Sequence, residues 1–434
     1  MTNNFQKPRG TQDLYGLNLV KRDILINLLE QIARNYGFEK IVTPTFEHKK
    51  VFVRSLGETS DLVKKEFFEL LSHNSKDQYV LRPENTASIV RLVANEKLLM
   101  KHSLPLRFFY YGSMFRYERP QAGRLREFSQ FGIEVIGTNS FLDDIELIQF
   151  CQQIIKELNL SDHVELIINY LGDEQTKIVW NDLLKKHFAN YYDQLSAINQ
   201  ERVNTNPLRI LDDKHDQDLT CVKNAPNVFM CLSNEQKQTF NQITNCLEQL
   251  QIKFSINPNL VRGLDYYTGL VFEYVFHGSG LEGQKTIIGG GRYAKLLSEF
   301  NAPDHESIGF GLGIDRLLVA LNSLNWNPII DQKIDLYLAT LVDQIDCQLL
   351  ELIAQLRIHK INVFTNYKIK KLNKHFKFFD HFNKPLLLIY GPKEQANQTI
   401  IFQNRQNSFE QKFNLNQIED IVVAINQQKL LKIK

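Results

Sequence analysis

The sequence predicts an α+β protein: an antiparallel sheet flanked by helices, interrupted by a mostly helical insertion and followed by a second domain of α/β type. Three observations carry that expectation. Residues 107–137 read as two strands joined by a loop holding the turn residues Pro120 and Gly123. After Gly172, as far as Ile252, glycine disappears and Lys, Asn, Gln and Asp dominate, while helical stripes such as Val179, Leu183 and Leu184 persist. Beyond residue 333 strand and helix patterns alternate, which suggests a parallel or mixed sheet with helices on its faces. The expected boundaries are 1–325, with the insertion at 172–252, and 333–434.

In chain order, Lys7 to Asp13 is a polar entry loop. Leu19, Val20, Ile24, Leu25, Leu28, Leu29 and Ile32 then recur at helical spacing, with Gly37 where a helix would stop. Phe38 to Val42 reads as a short strand, and Pro44 confines the next residues to an edge or a turn. Tyr79 to Leu81 is a strand running into Arg82-Pro83-Glu84-Asn85-Thr86, where Thr86 starts a helical pattern continued by Ile89, Val90, Leu92 and Val93. Capping alone would explain Thr86. Glu84 needs more, because it follows a rigid proline at a strand end, where side chains of an open sheet tend to meet ligands.

In the hairpin, side chains alternate between faces, so Phe128, Gln130, Gly132, Glu134 and Ile136 line one side of the second strand. Gly132 leaves a hollow between an amide and a carboxylate. Tyr110, Gly112, Met114 and Arg116 fall together on the first strand, which ends in a guanidinium fork suited to phosphate. The connecting loop sets Arg119, Arg124 and Arg126 against Glu118 and Glu127 alone. It is either a handle for a nucleic-acid backbone or a solvated surface tip.

Asp143 to Leu158 reads as a helix and Val164 to Asn169 as a strand. In Leu260 to Phe276, Arg262 precedes Gly263 at a turn, and Asp265, Tyr266 and Tyr267 add a carboxylate and two phenols before an apolar strand. The commoner explanation of that arginine is a pair with Asp265. Gly289 to Gly291, followed by Arg292, Tyr293 and a helix bearing Leu296 and Leu297, either lets a ligand lie against backbone N–H groups or is a plain strand-to-helix turn. Gly309, Gly311 and Gly313 alternate with apolar residues, baring one strand face to a flat base or to close packing. Arg316 opens the next helix, in reach of a triphosphate. Asn322 to Gln332 is a polar linker. Strands at Ile334–Thr340, Ile361–Phe364 and Pro385–Tyr390 then alternate with helices at Leu349–Leu356 and around Leu372, Phe376 and Phe379. Arg357 to Lys377 carries Lys360, Lys368, Lys370, Lys371, Lys374 and Lys377 without an acid, a patch that attracts phosphates or is an ordinary exposed lysine face.

Composition narrows the classes. With 434 residues, roughly two or three domains are expected. The 43% hydrophobic and 23% charged content is that of a soluble globular protein, and a net charge of +2 leaves nucleic-acid contacts to local patches. No apolar run approaches the roughly 20 residues of a membrane span, and the N-terminus lacks a signal-peptide core, so no membrane partner and a cytoplasmic location are expected. The five cysteines are scattered with no C-x-x-C pair, as free thiols in a reducing compartment. No glycine precedes a lysine, so a P-loop is excluded, and a nucleotide must be held by arginines and a sheet.

The run F-R-Y-E-R-P-Q (115–121), with the strand ending G-I-E-V-I-G (132–137), resembles motif 2 of class II aminoacyl-tRNA synthetases, and within that class the histidyl enzymes. R-P-E-N-T (82–86) resembles that family's R-P-E-x-T, and R-G-L-D-Y-Y (262–267) resembles the signature that sets it apart from other class II enzymes. The helix–strand–proline entry resembles motif 1, which forms a dimer interface, and G-L-G-I-D-R-L (311–317) resembles motif 3. The insertion matches the family's own in position, and Asn206 to Asp212 resembles a short run found there, with nothing in its residue chemistry that requires catalysis. The C-terminal part resembles the anticodon-binding domain shared with glycyl, threonyl and prolyl synthetases. Ala294 stands where the family usually has aspartate, and Asp315 where it has glutamate. The class I signatures H-I-G-H and K-M-S-K-S are missing.

The resemblance implies a class II catalytic domain, an anticodon-binding domain and a histidine–tRNA ligase of protein biosynthesis. Such an enzyme activates L-histidine with ATP to histidyl-adenylate, then transfers it to the 3′ end of tRNA(His). Arg116 and Arg262 would act on the α-phosphate, and Arg316, Gly309 and Gly311 would complete the ATP site. Glu84, Thr86 and Gln130 would bind the α-amino group. Glu134 and Tyr267, beside Tyr266, would bind an imidazole that offers one donor and one acceptor when neutral. Arg119, Gln121 and Arg124 would meet tRNA, as readers of the extra 5′ guanosine that histidine tRNA generally bears. Mg2+ would share the triphosphate charge, with no metal ligand assigned, and a homodimer is implied. The alternative is a histidine-binding, synthetase-like regulatory subunit of histidine biosynthesis. Such paralogues generally lack the complete signature and the C-terminal domain, both of which this chain has.

Overall fold

The computed structural model describes residues 5–57, 61–71, 77–213, 215–281, 284–328, 335–369, 371–379 and 386–430. Ile334, Lys370, Pro385 and the linker residues 329–332 lie outside the described residues. The chain forms two compact units, Met1–Pro328 and Ile329–Lys434.

In the first unit the strands are β1 (Glu39–Lys40), β2 (Phe46–His48), β3 (Glu69–Leu70), β4 (Tyr79–Leu81), β5 (Leu106–Phe115), β6 (Glu127–Ile136), β7 (Val164–Tyr170), β8 (Ser255–Ile256), β9 (Tyr267–Phe276), β10 (Thr286–Tyr293) and β11 (Ser307–Gly313). Eight of them form one sheet in the order β1-β5-β6-β11-β10-β9-β7-β8. The six central strands are antiparallel, and the short edge strands β1 and β8 pair parallel. Strands β2, β4 and β3 make a small separate sheet.

Period-two alternation decides what each face does. Phe131, Ile133 and Val135 of β6, with Phe272 and Phe310, meet the helices Gly16–Asn35, Leu142–Glu157 and Ile314–Ser323 in the main core. Gln130, Gly132 and Glu134 therefore look to the opposite face, where the helix Thr86–Asn95 lies against Tyr110, Met114 and Tyr293. The first helix ends as expected, with Gly37 at φ +74°.

The insertion is helical, with main helices Glu174–Ala189, Ala197–Thr205 and Asn234–Gln249. Asp173 caps the first through Thr176 N at 2.8 Å, and Ser233 with Gln236 forms a reciprocal capping box on the last. Its core of Trp180, Leu184, Phe188 and Ile210 is continuous with Leu260, Val261 and Tyr267, which lead into β9.

Two expectations change. Gly289, Gly290 and Gly291 lie inside β10, not at a helix start, and Leu296 and Leu297 sit in a turn before a single 3₁₀ turn, Ser298–Phe300. The reason is crowding between strands: a Cβ on Gly290 would lie 2.9 Å from the Phe272 ring, and one on Gly291 2.7 Å from Leu270 O. The hollow expected at Gly132 is filled, because Tyr110 is its cross-strand partner and the phenol ring occupies the space a Cβ would need.

In the second unit β12 (Leu336–Thr340), β13 (Val363–Thr365), β14 (Leu386–Tyr390), β15 (Thr399–Asn404) and β16 (Phe409–Asn414) run in the order β13-β12-β14-β15-β16. The first three are parallel and the last two antiparallel. Leu336, Leu338, Leu386 and Leu388 pack one face under the helices Cys347–Ile358 and Ile418–Leu430. Tyr337, Ala339, Leu387 and Ile389 pack the other face, with Phe376 and Phe379 of the helix Leu372–Phe379. The mixed sheet buried on both faces explains the near-continuous apolar runs of its strands.

Candidate active site

Register builds the site. Gly309, Gly311 and Gly313 of β11 stand directly opposite Glu134, Gly132 and Gln130 of β6. A Cβ on Gly309 would collide with the Glu134 carboxylate, and one on Gly311 with the Gln130 amide. The alternating glycines therefore let two polar side chains of the neighbouring strand lie flat across the sheet.

Glu134 is buried and holds two donors: the Thr86 hydroxyl at 2.6 Å and the Tyr293 hydroxyl at 2.8 Å. Glu84 accepts from Thr86 N at 2.7 Å and Ala87 N at 2.9 Å, so its carboxylate, not the Thr86 hydroxyl, satisfies the free N–H groups where the helix begins. Burial pushes Glu134 up to about 8, with the Glu84 carboxylate adding to the rise and the two hydroxyls opposing it. Burial also raises Glu84, against its backbone hydrogen bonds and Arg116. The buried Gln130 Oε1 has no hydrogen-bond partner among the described residues, an acceptor waiting for a donor. The Tyr266 and Tyr267 rings lie 4.7 Å apart, and burial raises the Tyr267 hydroxyl while Arg262 pulls it down.

The cations gather at the other end. Arg116 donates to Pro83 O at 3.0 Å and lies over the Phe128 ring. Arg316 donates to Gly123 O at 3.1 Å and to Thr286 O. Burial, with Arg116, Arg124 and Arg262 close by, pushes Arg316 down to about 10. Arg262 pairs with Glu273 rather than with Asp265, and its guanidinium lies over Gly289. Among the described residues neither Arg116 nor Arg316 forms an ion pair, so their charge is left for an anion.

One cavity of about 370 Å³ is lined by Glu84, Thr86, Gln130, Glu134, Tyr266 and Tyr267 together with Arg116, Arg262, Arg316, Gly309 and Gly311. Arg124 lines it too, paired with Glu118, whereas Arg119 and Gln121 are exposed and outside it. Sequence reasoning missed Tyr293 and Glu273, both in the cavity wall. A period of two from Gly289 lands on Tyr293, but that signal is hidden when the glycines are read as a turn. For magnesium, no cluster of three or more His, Cys, Asp or Glu side chains suited to a metal exists among the described residues. Asp315 accepts from Ser129 N at 2.6 Å and from Gln12, and Glu273 holds Arg262 and Thr286. These carboxylates are occupied and do not assemble a resident magnesium site.

An antiparallel sheet with helices behind it, a hairpin arginine and a helix-start arginine over glycine-bared strands is the catalytic architecture of a class II aminoacyl-tRNA synthetase. The family model described as histidyl-tRNA synthetase matches residues 10–317. A histidine–tRNA ligase of Ureaplasma urealyticum is 44% identical over 421 residues, covering 96% of this chain and 99% of the relative. One of Ureaplasma parvum is 42% identical over 420 residues with the same coverage. The crystal structure of apo histidyl-tRNA synthetase from S. aureus superposes with a TM-score of 0.80 at 30% identity, covering 97% of this chain and 99% of that one. The chain belongs to the histidyl-tRNA synthetase family.

Proposed function

We propose that this chain is a histidine–tRNA ligase whose work is divided among the residues of the cavity. Histidine enters with its α-ammonium toward Glu84 and the unpartnered Gln130 Oε1. Its imidazole lies between Glu134, whose oxygens retain lone pairs beyond those used by Thr86 and Tyr293, and the Tyr267 hydroxyl. The histidine carboxylate attacks the α-phosphorus of ATP, a new O–P bond forms, and the bond to pyrophosphate breaks. Arg116 and Arg262 stabilise the charge that builds on the α-phosphoryl oxygens, and Arg316 with Arg124 holds the far end of the triphosphate. The ribose hydroxyl at the 3′ end of tRNA(His) then attacks the acyl carbon and AMP leaves. The steps are carried by these guanidinium groups, with magnesium entering as a counter-ion of the nucleotide. Arg119 and Gln121, exposed on the hairpin loop, are offered to tRNA, and Arg124 moves from that role to the nucleotide. We further assign the chain to the cytoplasm and to a homodimer through the N-terminal helix; no helix among the described residues is long and apolar enough to cross a membrane.

The observation that carries this reading is the convergence of Arg116, Arg262 and Arg316 with the buried Glu134 and the part-buried Gln130 on one cavity. Relatives that match through the C-terminal unit favour the ligase over the regulatory subunit. ATP–pyrophosphate exchange tested across amino acids should respond to histidine alone. Glu134→Ala should raise the histidine KM by about a hundredfold or more, since a site built on buried polar pairs rejects what it cannot pair. Arg262→His should lower kcat by about a hundredfold with KM little changed, as for loss of a transition-state donor. Wild-type exchange kinetics in both variants would defeat these assignments.

A further inference from the structure

Arg262 stands on a stretch without regular structure, 257–266, between the insertion and β9. Carbonyls in such a stretch have no ladder to pair with, so each needs a donor from elsewhere. For Arg262 O that donor is Arg209 Nη1 at 3.0 Å, from the short helix Leu208–Leu211 of the insertion. The other arm of the same guanidinium, Nη2, pairs with Asp265 Oδ1 at 2.6 Å. Asn206 Nδ2 lies 3.3 Å from Asp265 Oδ2, and Lys177 Nζ donates to Asp265 O at 3.0 Å. Three residues of the insertion thus grip the turn that presents Arg262, and Arg209 spans both ends of it. Asp265 is three residues from Arg262, close enough in sequence to be its natural counter-ion. In the structure Asp265 is committed to Arg209, which itself borders the cavity, and Arg262 is turned over Gly289 into that cavity, where Glu273 is its counter-ion.

We propose that Arg209 is a positioning residue for adenylate formation. It fixes the main chain of the Arg262 turn and keeps Asp265 from adding a second carboxylate to a cation that already pairs with Glu273. The helical insertion is then part of the activation machinery, through one guanidinium with two tasks. This rests on the role assigned to Arg262 at the α-phosphate.

The test is ATP–pyrophosphate exchange with the full chain, measured as kcat and as KM for histidine, with a thermal melt for each variant. Arg209→Ala should lower kcat on the order of tenfold to a hundredfold, the scale of a misplaced catalytic group, with the histidine KM within about twofold. Adding Asp265→Asn to it should restore about tenfold of that loss, because an amide adds no second negative charge beside the Arg262–Glu273 pair; a role limited to supporting the fold would leave the double variant no better than the single. Should Arg209→Ala fail to fold, Arg209→Lys, which keeps a cation beside Asp265 but loses the fork that also holds Arg262 O, should give a kcat between those of the wild type and Arg262→Ala. The proposal is overturned by wild-type kcat in Arg209→Ala, by a double variant that recovers nothing, or by a folded lysine variant as impaired as Arg262→Ala. Arg262→Ala run alongside separates the two readings: if it exchanges normally, the role given to Arg262 falls, whereas a dead Arg262→Ala beside a fully active Arg209→Ala removes Arg209 alone.

Discussion

Glu134 is the buried carboxyl we assign to the imidazole, and its environment makes a prediction about pH. Its carboxyl is raised from 4.5 to about 8, chiefly by burial. The folded state therefore binds the proton more tightly than the unfolded chain. The resulting stability is fully present below the unfolded value and is lost as pH rises through the folded one. Melting temperature of the ligand-free protein should fall between about pH 5 and pH 9, and Glu134→Gln, which cannot ionise, should flatten that slope. Asp144, raised by burial to about 7 despite its pair with Arg292, leaves part of the slope in place. Parallel curves for the wild type and Glu134→Gln would remove the assignment. At this scale the sequence was informative wherever a residue's placement is set by its immediate neighbours: Glu84 behind Pro83, and Arg116 at the end of a strand, both reach the cavity. It was uninformative about Arg262, whose counter-ion is chosen between Asp265 and Glu273 by the path of β9 and by Arg209, more than fifty residues earlier.

At the scale of the element, β10 and β11 are strands whose glycines make room for side chains that belong to other segments. Gly289 shows this most simply. An added Cβ there meets the far end of the flexible Arg262 side chain, not backbone. Gly289→Ala should fold with a melting temperature within a few degrees of wild type, since the added methyl meets only the movable end of a long side chain. Its kcat for pyrophosphate exchange should nevertheless drop by about tenfold or more, because the guanidinium is pushed aside. An unchanged kcat would show that Arg262 does not act from over Gly289. The same element explains an error of sequence reading. Three consecutive glycines suit a turn as well as a crowded strand, and only the flanking Phe272 and Leu270 O, which arrive from β9, decide between them. The β5–β6 hairpin was legible because its alternation and its turn residues are local; the placement of Tyr293 was not, because it depends on β10 continuing through the glycines.

For the whole molecule, the two units have separate cores, one around the eight-stranded sheet and one around β12 to β16. Every residue of the cavity belongs to the first. A chain ending at Pro328 should therefore keep histidine-dependent pyrophosphate exchange within about tenfold of the full chain, as expected of an independently folding domain, while tRNA charging falls much further. Exchange lost in a folded, truncated protein would show that the second unit supports activation itself. The division into two units was visible in sequence as a change from mixed patterns to regular alternation of strand and helix. The grip of the insertion on the catalytic turn was not, since Asn206 and Arg209 look like ordinary surface polar residues until the chain brings them to Asp265.

The pairing of Gly309 and Gly311 with Glu134 and Gln130 has a practical consequence. The part of the cavity assigned above to the amino acid is hollowed out by methyl groups that were left off the backbone, so there is nothing further along that wall to trim. An engineer wishing to load a bulkier, imidazole-like building block onto RNA would find the β11 side already at its minimum. New space would have to come from the phenols of Tyr110, Tyr267 or Tyr293, which line the same cavity from β5, β9 and β10.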